Sequence, residues 1–205
     1  MAYKSKGAQV AILPSYSPLT ISAGYRNPAY LKTIGYGHTG DDFYCDKSFD
    51  VIAIGDGVIK MAGMEPRVPG KDGLWGVVGL VLDKFYRPLS GNVLGGVAQY
   101  MHMPIIYVNV GQRVKQGDVI GRVLCYADDP TNKYPGGHHL HLECRWDTTT
   151  PNRSSQVKGG RYIKNGADCT VNPNTWLHIA PGQSVSIHPN TTMATQKDLI
   201  ARRVG

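Results

Sequence analysis

The runs DVIAIGDGVIKMAG (50–63), LWGVVGLVLDKF (74–85) and GGVAQYMHM (95–103) are short, rich in β-branched residues and broken by glycine. That pattern marks consecutive strands joined by turns. Outward from them, IIYVNVGQRVKQGDVIGRV (105–123) reads as two short strands around the Gly117-Asp118 turn, and HLHLEC (139–144) alternates cleanly as a further strand. TVNPNTWLHIAP (170–181) reads as a last ordered piece that packs Trp176 and Leu177 onto the sheet. With 25 Gly and 13 Pro in 205 residues, the chain favours turns over long helices and excludes an all-helical bundle. The expected class is mainly β.

The length suits one domain. Residues 1–30, rich in Pro, Ser and Tyr and without periodicity, read as an N-terminal extension leading into the core. A central domain spans 31–182 and carries a polar, turn-rich surface insertion at 148–168; a tail follows at 183–205. In that tail Met193, Ile200 and Val204 recur at roughly helical spacing beside Lys197, Arg202 and Arg203. A short C-terminal helix is expected there, either frayed or in weak contact with a membrane surface through its cationic side chains.

Lys and Arg outnumber Asp and Glu by 22 to 15, a formal charge of +7. The basic residues are spread along the chain without a nucleic-acid motif, so nucleic acid is not expected and another anionic polymer, such as a cell wall, fits the charge. The longest apolar run, from Trp75 to Leu82, contains two glycines and falls far short of the roughly 20 residues a bilayer crossing needs. No transmembrane segment is expected. The apolar stretch near the start is broken at Pro14, so no signal peptide is expected either. Cys45, Cys125, Cys144 and Cys169 lie far apart with no CxxC pair and are expected as thiols in a reducing cytosol. A monomer is expected.

Five of the seven histidines fall in three compact clusters: His38 in GHTGDD, His102 in QYMHM, and His138, His139 and His141 in GGHHLHLE. His139 and His141 stand two apart, so on a strand both imidazoles project from one face, with Cα atoms about 6.5–7 Å apart. His138 then points the other way. His38 and Asp42 also have even spacing, and Gly37 and Gly40 disfavour the helix that the H-E-x-x-H arrangement requires. Two imidazoles and one carboxylate suit zinc and leave a fourth tetrahedral position, the mark of a catalytic rather than a structural site. Taken singly, HxH on a strand is more often two ordinary histidines, and HxxxD recurs by chance; their order and context carry the argument.

That order runs HxGxD, a strand reading DGVI, YxH, VKxGDVIG and GxHLHLE, from about Gly35 to Glu143. It resembles the lysostaphin-type zinc endopeptidases, or glycyl-glycine endopeptidases, which cleave peptidoglycan cross-bridges or stem peptides; TVNPNTWL resembles the segment that closes the same domain. The resemblance implies a mostly antiparallel, sandwich-like β fold with long loops forming an open groove. It further implies one zinc per chain held by His38, Asp42 and His141, with His102 and His139 as the catalytic pair that handles the water and the developing oxyanion. Met103 follows His102 where the family usually has Leu, a volume-conserving change. The chemistry agrees, because one neutral histidine can accept a proton at physiological pH and a second, protonated, can stabilise an oxyanion. No glutamate base is required.

Two other classes are weaker. A non-catalytic wall-binding protein on the same fold would show missing ligands, and all five positions are filled. A lipoyl or biotinyl carrier shares hairpins like VKQGDVIG, but Ile59-Lys60-Met61 matches its M-K-M context only in part and leaves the histidines unexplained. A wall enzyme without a leader fits synthesis in a host cytoplasm and action on the wall, as a phage lysis enzyme or a virion component.

Overall fold

The computed structural model describes residues 4–5, 8–28, 32, 37–66, 74–87, 92–130, 138–146, 163–164, 167–168 and 170–188. In chain order the strands are β1 (Lys4–Ser5), β2 (Ala8–Ile12), β3 (Leu19–Ala23), β4 (Asp41–Tyr44), β5 (Phe49–Ile52), β6 (Gly57–Pro66), β7 (Leu74–Arg87) and β8 (Asn92–Met103). They continue with β9 (Ile105–Ile106), β10 (Arg113–Val114), β11 (Val119–Val123), β12 (Leu140–Trp146), β13 (Ile163–Lys164), β14 (Ala167–Asp168), β15 (Thr170–Val171), β16 (Leu177–His178) and β17 (Val185–Ile187). A 3-10 turn at Pro173–Thr175 precedes β16. The mainly β class is the one observed.

One 12-stranded sheet runs β1-β2-β7-β8-β12-β4-β3-β17, with β6, β10, β15 and β16 paired off that path; β5-β11-β9 form a second sheet. Pairing is mostly antiparallel, and β2 with β7, β16 with β2 and β17 with β3 are the parallel contacts. Alternation on the central strands decides what each face holds. Val78, Leu80 and Leu82 of β7, Ala98 and Tyr100 of β8, and Leu140, Leu142 and Cys144 of β12 turn inward. They pack with Phe49 and Val51 of β5, Ile120 and Val123 of β11, and the fully buried Trp176 and Leu177. The opposite face of the large sheet is left for other side chains, and Asp42 of β4 and His141, Glu143 and Arg145 of β12 lie there.

Several parts differ from the sequence reading. Residues 8–23, expected as lead-in, form β2 and β3 and bury Val10, Ala11, Ile12, Leu13, Leu19 and Ile21. The start of the expected tail is also built in: β17 pairs with β3, and buried Gln183 donates to the carbonyls of Leu13 and Ser15, both at 2.9 Å. β10 and β11 flank the Gly117-Asp118 turn as expected but join different sheets, β10 with β6 and β11 with β5 and β9. Within 148–168 the described residues form the paired strands β13 and β14; the rest of that insertion, the helix expected beyond Thr191 and Cys169 lie outside the described residues. Cys45, Cys125 and Cys144 are free thiols.

Asp56, in the turn before β6, ties the N-terminal strand to the β10–β11 region. Its carboxylate accepts from Gln9 Nε2 at 3.0 Å, the Gln116 N–H at 2.8 Å and Lys115 Nζ at 3.0 Å. Burial pushes the Asp56 carboxyl up, but these donors outweigh it and hold the group below its ordinary value. A lowered folded value means that the contribution to stability is present above the unfolded value of about 3.9 and fades as pH falls through the folded one. Asp56→Ala is therefore expected to cost about 1–2 kcal/mol at pH 7, and the gap from the parent should close below about pH 4. Thermal melts from pH 7 to 2 test this; a gap that does not change with pH would refute it.

Candidate active site

Asp42 and His141 are direct partners across the β4–β12 ladder. Strand register alone therefore sets a carboxylate beside an imidazole, with Asp42 Oδ1 2.9 Å from His141 Nδ1. His38 arrives from the segment before β4, and its Nε2 lies 3.1 Å from Asp42 Oδ1 and 2.9 Å from His141 Nδ1. Gly40 permits that approach: a Cβ there would sit 2.2 Å from the Leu142 carbonyl oxygen and 2.9 Å from His141 Nε2. The second ring nitrogen of His38, Nδ1, is 2.9 Å from the Gly24 carbonyl oxygen. A carbonyl only accepts, so Nδ1 carries the hydrogen and Nε2 presents its lone pair to the cluster.

Three buried donor atoms thus converge, all within 4.8 Å of one another. Zinc bonds of 2.0–2.1 Å in a tetrahedral site place ligand atoms about 3.3 Å apart, close to the 2.9–3.1 Å found here. Their lone pairs repel unless a proton or a metal cation lies among them. Burial pulls the His141 imidazole down, yet the Asp42 and Glu143 carboxylates more than offset it and raise it to about 9. Burial likewise pushes the Asp42 carboxyl up, but His38, His139 and His141 outweigh it and hold it well below the usual carboxylate range. Two imidazoles and a carboxylate that attract positive charge this strongly are a donor set that can hold zinc.

His139 and His102 flank this cluster, both half-buried. His139 Nε2 is 3.6 Å from Asp42 Oδ1, and the His102 ring lies 4.6 Å from that of His139 and 6.0 Å from that of His141, centroid to centroid. His102 reaches the site through a β-bulge: Gly76 opposes Met103 and Val77 opposes Met101, so the β7–β8 ladder skips His102. Its φ is +71°, a left-handed conformation that costs an L-residue about 1–2 kcal/mol. Gly76 accommodates the bulge, because a Cβ there would meet the Met103 carbonyl oxygen at 1.8 Å. His102→Gly is accordingly expected to be more stable than His102→Ala by about 1 kcal/mol. Comparison of their melting curves decides it, and the reverse order would mean that the backbone carries no strain.

All five residues singled out from the sequence, His38, Asp42, His102, His139 and His141, are brought together. His138 points elsewhere, its Nε2 3.4 Å from Asp129 Oδ2 and its ring 5.6 Å from that of Tyr126. Glu143 and Arg145, which follow His141 on the same face of β12, were not among the residues expected. The alternation of HLHLECR contained the signal, but a polar residue on an alternating strand ordinarily reads as solvent-facing.

Residues 91–154 match the family described as Peptidase family M23. That stretch includes His102, His139 and His141 and does not reach His38 or Asp42. Lysostaphin from Staphylococcus staphylolyticus is 29% identical over 189 residues, covering 82% of this chain and 35% of lysostaphin, so the chain spans about a third of that relative's length. Among solved structures, a chain of the SpoIIQ–SpoIIIAH pore-forming complex superposes with a TM-score of 0.50 at 18% identity, over 82% of this chain and 90% of that one. This is a likeness of fold alone. The catalytic domain of lysostaphin from Staphylococcus simulans is 27% identical, over 62% of this chain and 80% of that one, and superposes more loosely, with a TM-score of 0.42.

Proposed function

We propose that this chain is a zinc-dependent endopeptidase of the Peptidase family M23 kind, and that it hydrolyses peptide bonds of bacterial peptidoglycan in the stem peptide or the cross-bridge. The observation that carries the reading is the convergence of His38, Asp42 and His141 beside a second pair of imidazoles. The match over 91–154 and the similarity to lysostaphin support it.

His38 Nε2, Asp42 Oδ1 and His141 Nδ1 are the atoms that would hold the metal. Zinc there supplies a Lewis acid that polarises a carbonyl and acidifies water. The Gly24 carbonyl fixes the outer nitrogen of His38, so that ring cannot rotate without losing a buried hydrogen bond. The His102 and His139 rings stand 4.6 Å apart, centroid to centroid, so one neutral and one protonated imidazole can serve the same reacting group. The neutral ring accepts the proton of the attacking water, and its protonated neighbour donates to the oxyanion. His139 Nε2, turned toward the ligand cluster, is the nitrogen placed for that exchange.

Mass spectrometry of fragments released from purified peptidoglycans of different cross-link types tests the proposal. New amino and carboxyl termini are expected at one bond type, lost with a chelator and restored by zinc. Adsorption to every wall with no fragment released from any would sink the endopeptidase reading in favour of a non-catalytic wall-binding protein.

A further inference from the structure

His141, Glu143 and Arg145 succeed one another along one face of β12, and all three are buried, Glu143 and Arg145 at 0% exposure. Arg145 Nε donates to Glu143 Oε1, and Glu143 Oε2 lies 3.9 Å from His141 Nε2. Thr39, on the segment that brings in His38, also stands close to Glu143. Gln99, likewise at 0% exposure, is the direct partner of Glu143 on β8 and extends the polar stripe. The neighbouring Met61, Val77 and Met101 form an apolar cluster.

A buried ion pair adds little stability over apolar side chains of the same shape. Its place inside a sheet whose core is mostly apolar therefore needs a cause other than packing. Geometry supplies one. With His141 Nδ1 facing Asp42 and His38, Nε2 is the nitrogen left over, and the Glu143 carboxylate stands at that edge of the ring. An outer carboxylate of this kind fixes the tautomer and rotation of a ligating histidine. Arg145 in turn fixes the carboxylate.

We propose that Glu143, anchored by Arg145, is a positioning residue that holds His141 with Nδ1 toward the metal, so that the buried stripe sets zinc affinity. The inference rests on the metal-site reading above. Chelator competition with zinc and the visible spectrum of the cobalt(II)-loaded protein test it in two variants of the full chain. Glu143→Gln is expected to bind zinc 10–100-fold more weakly and to shift the cobalt spectrum. Glu143→Leu with Arg145→Met replaces the pair by apolar side chains of similar volume; it is expected to melt cooperatively at or above the parent temperature and still to bind zinc 10–100-fold more weakly. Parent-like affinity and spectrum in the double variant would overturn the proposal. Failure of both variants to fold would also overturn it, since the pair would then be a core element. A parent protein that takes up no zinc would instead remove the metal-site reading itself, so the two failures are distinguishable.

Discussion

His139→Ala and His102→Ala are each expected to retain about one zinc per chain while wall hydrolysis falls by about 10²–10³-fold or more. Neither imidazole belongs to the trio of donor atoms that approach within 3.1 Å of one another. His139 Nε2 stands 3.6 Å from Asp42 Oδ1, and the His102 ring stands 6.0 Å from that of His141. Loss of either ring takes away a proton acceptor or an oxyanion donor and leaves the donor set whole. His141→Ala should behave differently and lose both metal and activity. The comparison is controlled by position, since His139 and His141 are two residues apart at the head of β12 and general damage to that strand would affect both alike. Elemental analysis with a wall-clearing assay reads the outcome. If His139→Ala loses its zinc while His141→Ala keeps it, the two roles are exchanged. If His139→Ala and His102→Ala both keep full activity, the endopeptidase reading fails.

The five site residues were legible because strand alternation is a local property. HLH on a strand must put two imidazoles on one side, and His38 with Asp42 needs only the short run GHTGDD. What escaped the sequence was set by distant partners. β2 and β17 owe their places to parallel pairing with β7 and β3, and a parallel neighbour leaves no turn signature between the partners. Residues 8–23 therefore read as lead-in although their apolar side chains fill the core. The separation of β10 and β11 into two sheets was hidden for the same reason, since a Gly-Asp turn looks alike whether or not its flanks pair. The bulge at His102 depends on Gly76, 26 positions earlier in the chain, and a non-glycine residue with positive φ gives no compositional hint. Glu143 and Arg145 were visible as polar residues, but only burial on the second face of the sheet separates a buried stripe from a wet one.

Asp42→Ala is expected to leave a folded protein whose zinc affinity has fallen by more than about 100-fold, beyond the range seen when only an outer partner of a ligand is lost. Asp42 Oδ1 is the atom on which His38 Nε2 and His141 Nδ1 both close, at 3.1 and 2.9 Å, and it supplies the negative charge in the donor set. Two neutral imidazoles alone would bring a divalent cation into a buried site without compensation. Asp41 provides the control. It shares the core side of β4 with Phe43, is fully buried, and accepts the Tyr25 N–H at 2.8 Å. Burial, against that hydrogen bond and the nearby histidines, raises the Asp41 carboxyl to about 7. Asp41→Asn keeps an acceptor for Tyr25 and should keep zinc at about one per chain. Metal analysis after dialysis, followed by chelator competition, separates the two variants. Zinc retained by Asp42→Ala and lost from Asp41→Asn would move the ligand role by one residue. Because side chains alternate with a period of two, that result would require β4 to turn its other face to the site, and the pairing of Asp42 with His141 would have to slip with it.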